Sequence, residues 1–64
     1  MENYLTQKYY GQSVHNVVNE LRNIYSKLEF VILHKNVGTS YDFCYDRYRI
    51  RYNNNYKVIS IVQG

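Results

Sequence analysis

Proline and tryptophan are absent from the 64 residues, and cysteine occurs once, as Cys44. A single thiol rules out an intrachain disulfide, the staple on which many very small domains rely. His15 and His34 stand apart from each other and from Cys44, so no Cys and His cluster has metal-ligand spacing. No nucleophile, base and orienting residue fall into a catalytic arrangement, and the glycines form no phosphate-binding run. The chain is therefore read as a non-enzyme that takes no cofactor and no metal. Long apolar runs are missing too: no segment approaches the ~20 apolar residues of a membrane span. "MENYLTQKYY" has neither the basic start nor the apolar stretch of a signal peptide, and the expected location is cytoplasmic.

What the chain does have is tyrosine, nine in all, on a background of formal charge +3. Tyrosine rings offer a large contact area with a polar tip, which suits recognition surfaces as well as cores. The length fits one domain, residues 1–64, with residues 1–10 as an N-terminal arm. A chain this short hides only ~60% of the surface it would expose when unfolded, so a few core side chains carry most of its stability.

The clearest period lies in "GQSVHNVVNELRNIYSKL". Val14, Val17, Val18, Leu21, Ile24, Tyr25 and Leu28 share one helical face, with Ser13 placed as the N-cap. "EFVILH" follows as a short β-branched strand. From Lys35 to about Cys44 the pattern breaks into a loop of roughly ten residues, longer than the ~4–6 of a common connection. Then Tyr48, Ile50 and Tyr52 alternate with Arg47, Arg49 and Arg51, giving a strand with one apolar and one cationic face. "NNN" at 53 to 55 makes a turn, since asparagine tolerates positive φ, and "YKVISIVQG" supplies a last strand. The expected class is α+β: one amphipathic helix packed on a small mixed sheet.

The long connection between the first two strands fits parallel pairing, because an antiparallel pair needs only a short turn. A loop of that length has to travel around the sheet, leaving a crest that needs support. Ser40 and Asp42 flank Tyr41 and offer acceptors for guanidinium groups, while Arg47 and Arg49, two apart on a strand, point the same way and can reach both.

These segments resemble the potato inhibitor I family of serine protease inhibitors. "GQSVHNVVNEL" is similar to the family's glycine, then Thr or Ser, then valine at its helix start, and "FVILH" to the strand before its inhibitory loop. "TSYDFCYDRYRIRYN" resembles the loop with its Thr, variable residue, acid and Arg-x-Arg. The resemblance runs without a gap from about Gly11 to Tyr52. It implies a protease-binding loop of Gly38, Thr39, Ser40, Tyr41, Asp42, Phe43 and Cys44, with Tyr41 in the enzyme's primary pocket and Tyr41–Asp42 as the presented bond. It also implies support from Arg47 and Arg49, and Gly64 resembles the family's terminal glycine. The implied partner is a chymotrypsin- or subtilisin-like serine protease. Departures are visible as well: "LTQK" replaces the family's aromatic-Pro-Glu, and Gly38 stands near a family proline.

Two other readings come from the residues alone. One is a non-inhibitory protein-interaction module, able to self-associate through an exposed final strand. The other is a nucleic-acid surface built from Arg47, Arg49 and Arg51 beside Tyr48 and Tyr52. The strand period weighs against the second, because it sends arginines and tyrosines to opposite faces. That reading makes Arg51 its own test, since bracing of the loop from Arg47 and Arg49 does not require it.

Overall fold

Three strands, β1 (Glu29–His34), β2 (Arg47–Tyr52) and β3 (Val58–Gln63), lie side by side in that order in the computed structural model, which describes residues 4–38 and 42–64. β1 and β2 are parallel, with Glu29 opposite Arg47 and His34 opposite Tyr52, while β2 and β3 form an antiparallel hairpin. The parallel pair follows from the length of its connection, residues 35–46. Alternation along β2 turns Ile50 fully into the core and leaves the three arginines on the other face.

One helix, α2 (Val14–Ile24), covers the apolar face of β1 and β2, as its spacing predicts. Val14, Val17, Val18 and Leu21 are buried there against Phe30, Ile50, Val58 and Ile61. Burying each such side chain contributes about 1.5–3 kcal/mol, so this short list accounts for most of the hydrophobic stabilisation. The apolar stripe stops sooner than its period implies. Ile24 and Tyr25, expected in the core, are 55% and 41% exposed. The chain leaves the helical path at Tyr25 to reach β1 by residue 29, and the last turn stays uncovered; Leu28 packs partly against the core.

Ser13 opens the helix through its main chain, accepting the Val17 N–H at 3.0 Å, but its hydroxyl makes no capping bond. The N–H of Val14 is satisfied instead by the Tyr56 carbonyl at 2.9 Å, because Ser13 sits in a β-bridge with Lys57. The expected asparagine turn is present with a different residue under strain. Asn53 Oδ1 accepts the N–H groups of Asn55 and Lys57, and the positive φ of 60° falls on Tyr56 rather than on an asparagine. Tyr56 stacks on Tyr52 with ring centroids 5.6 Å apart, and on His15 at 6.2 Å.

A second helix, α1 (Tyr4–Tyr9), corrects the reading of residues 1–10 as a plain arm. Six residues cannot hold a helix by themselves, so its stability comes from what it touches. The Thr6 hydroxyl donates to the Ile61 carbonyl at 3.0 Å and accepts the Ile61 N–H at 2.8 Å. Farther along, Gly11 N–H donates to Val58 O and Val58 N–H to Gln12 O, each at 2.8 Å. The outer edge of β3, expected to be open for self-pairing, is thus occupied by the chain's own first segment.

Tyr9 fastens α1 to α2. It is buried, and its hydroxyl donates to Glu20 Oε2 at 2.5 Å. That hydrogen bond, followed by burial and the charge of Glu20, pushes the phenol from its ordinary value near 10 up to about 12. A raised folded-state value means that the neutral form is favoured by folding. The contribution is intact below pH 10 and is lost as the pH climbs through about 12. Tyr9→Phe is expected to cost about 1 kcal/mol at neutral pH. It should also flatten the alkaline loss of stability between pH 10 and 12, as read by denaturant unfolding at stepped pH.

Candidate functional site

The described limbs of the connection from β1 to β2 lie on the arginine side of the sheet, and each is gripped by guanidinium groups from β2. On the descending limb Arg47 Nη2 donates to the main-chain oxygen of Asp42 at 2.9 Å, and Arg49 Nη2 reaches the same oxygen at 3.3 Å. Their approaches to the Asp42 carboxylate are longer, 3.4 Å from Arg47 and 3.8 Å from Arg49. The Asp42 side chain is 63% exposed, so solvent screens that ion pair and the main-chain oxygen is the better acceptor. The expected carboxylate bridge is therefore secondary: what Arg47 and Arg49 hold is backbone.

Arg51 does the same for the ascending limb. Its Nη1 donates to the Val37 oxygen at 2.7 Å and to the His34 oxygen at 3.2 Å. Arg51, not expected to brace the loop, is thus a third brace beside Arg47 and Arg49. The signal was available, because residues 47, 49 and 51 share one strand face; the pairing of Arg51 with the far limb depends on how the loop runs. Main-chain bonds finish this limb, with Lys35 N–H on Tyr52 O at 2.9 Å and Val37 N–H on His34 O at 3.0 Å.

Arg47 also ties the loop to the end of β3. Its Nε donates to Gly64 O at 2.7 Å, and Gly64 N–H returns to Arg47 O at 2.8 Å. A Cβ on Gly64 would stand 3.6 Å from the Phe43 ring, an ordinary contact. What selects glycine is therefore its φ of +153°. Gln63 adds a bond from Nε2 to Tyr45 O at 2.6 Å. Phe43 and Tyr45 remain largely exposed between these anchors. Gly38 is exposed, with open space where a Cβ would lie.

Thr39, Ser40 and Tyr41 lie outside the described residues, and so does the contact expected between the arginines and Ser40. Of the other site residues, Asp42, Arg47, Arg49 and Gly64 come together in one network, with Phe43 against its Gly64 end. Cys44 is partly exposed just below, and its Sγ donates to Asp46 Oδ1 at 2.8 Å. That bond to a carboxylate, more than the thiol's burial, pushes Cys44 above its ordinary range and keeps it protonated.

Compared with models of known protein families and with curated protein sequences, the chain matches none.

Two outcomes are expected. Arg51→Ala should speed amide exchange at residues 35 to 38, and Arg47→Ala at 42 to 46, each by about five- to tenfold, the equivalent of a partly exposed charge-assisted hydrogen bond. Hydrogen exchange resolved by residue distinguishes the limbs. Cys44 should react slowly with iodoacetamide at neutral pH, and Asp46→Asn should accelerate it, as followed by mass spectrometry.

Proposed function

We propose that this protein is a serine protease inhibitor that offers the Tyr41–Asp42 bond in a substrate-like loop. The supporting observation is the grip of Arg47, Arg49 and Arg51 on main-chain oxygens of both loop limbs. A segment meant to be bound and not consumed needs a backbone held in place on either side of the presented bond. Asp42 is the residue after that bond, and its oxygen takes two guanidinium donors. The similarity to the potato inhibitor I family noted in the sequence points the same way.

The physical logic is pre-organisation. Proteases bind substrates extended, and ordering a free peptide costs about 0.5–1.5 kcal/mol for each immobilised side chain, besides the backbone. A loop already held by β2 avoids much of that cost, which is how interfaces of ordinary size reach very tight binding. After attack, bracing from beneath keeps both new chain ends near each other, so the amine stays placed to re-form the bond. Tyr41 in the primary pocket suits a deep apolar slot of the chymotrypsin or subtilisin type and not a pocket built for a cation. The arginine heads are spent on loop oxygens, which also speaks against a free basic strip for nucleic acid.

Titration against chymotrypsin and subtilisin tests the proposal. The parent chain is expected to block one of them stoichiometrically, and Tyr41→Ala to weaken the block by about 30-fold or more, as for an interface hot spot. Rapid cleavage after Tyr41 without inhibition would overturn it in favour of an interaction module on the same fold.

A further inference from the structure

The sheet has two edges, and they are treated differently. α1 and residues 11–14 occupy β3, whereas among the described residues β1 carries nothing comparable. In a parallel pair, alternate residues direct both main-chain groups at the neighbouring strand. Glu29 N–H donates to Asp46 O and Lys35 N–H to Tyr52 O, so the odd-numbered residues of β1 face β2. Phe30, Ile32 and His34 turn theirs outward. Phe30 O takes one long bond, 3.3 Å, from Arg22, and His34 O is used within the loop. Among the described residues, nothing reaches the N–H or the C=O of Ile32.

We infer that β1 is a self-pairing edge, and that two copies of this chain join antiparallel about a two-fold axis through Ile32. The occupant is argued from complementarity. This register exchanges both main-chain bonds between the two Ile32 residues and sets Phe30 beside His34 of the second copy. On the other face it puts Val31 opposite Leu33 and Glu29 opposite Lys35, each pair occurring twice. Glu29 and Lys35 are both exposed and opposite in charge. Sliding the register by two residues one way would set Lys35 against Lys27, and sliding it the other way would leave Lys35 against Val31. The centred register is the one in which charge and apolar pairs agree.

The product is a six-stranded sheet with both α2 helices on one face and both arginine-braced loops on the other. Strand-edge interfaces of this size are weak and transient, so the dimer is expected at concentrations on the order of 100 μM. The inference does not rest on the loop's function.

Sedimentation equilibrium of the full chain, from micromolar to millimolar, tests it alongside Lys35→Glu, Glu29→Lys and the double exchange. Each single reversal places like charges together twice and should raise the dimer Kd by about tenfold, with the double exchange restoring it. A synthetic chain N-methylated at Ile32 should be monomeric while keeping its circular dichroism, since that N–H faces outward and the side chain is unchanged. A parent chain that stays monomeric at millimolar concentration overturns the inference. So does a dimer indifferent to all these changes. An extended peptide that protects the Ile32 amide from exchange on a monomeric chain would reassign the edge to a different partner and overturn self-pairing.

Discussion

Guanidinium donors aimed at backbone oxygens organise this molecule. In the twelve-residue loop, 35 to 46, none of the described residues is buried, and such a segment is costly to order. β2 solves this by putting a cation at every second position on the face that holds the loop's described limbs. Each guanidinium carries several donors in a fixed plane, so one side chain can serve two acceptors: Arg47 holds Asp42 and Gly64, and Arg51 holds Val37 and His34. Lysine, a point charge on a flexible stem, lacks that geometry. Because the acceptors are mostly main-chain oxygens, the grip depends little on which side chains the loop carries.

That arrangement constrains the remainder of the fold. The arginines face the loop only if β1 and β2 run parallel and in register, and the register is enforced from the other face by Phe30, Ile50 and α2. A slip of one residue would send Ile50 outward and the arginines into the core. The end of β3 matters for the same reason: Gly64, in a conformation open to glycine, closes the network at Arg47. The short helix α1 contributes by covering the β3 edge through Thr6 and by seating Tyr9 beside Glu20. In a domain with so small a core, such single polar contacts are a sizeable share of the total.

How far this could be read in advance varies with the kind of interaction. Val14, Val17, Val18 and Leu21 announce their helix because burial on one face leaves a period in the residue types. The Arg-x-Arg-x-Arg strand is equally legible, and so is the parallel pairing implied by a long connection. Ile24 and Tyr25 obey the same period yet lie exposed, since a periodic pattern says which face is apolar and not where the partner surface ends. α1 left no comparable mark; its six residues fold against β3 and have no strong stripe of their own. Arg51 was visible as a cation on the correct face, while its acceptor, Val37, was not, because fourteen residues separate the two along the chain.

The residue sequence alone determined the periods, and with them the helix on a mixed sheet, the arginine face of β2 and the long loop before it. These are local consequences of side-chain size and charge at fixed spacing. The tertiary structure decided which oxygens the arginines hold, that Tyr56 takes the positive φ in the turn, and that the first segment bonds to the outer edge of β3. Those outcomes depend on distances between segments remote in the chain, and such distances are set by packing the whole domain at once.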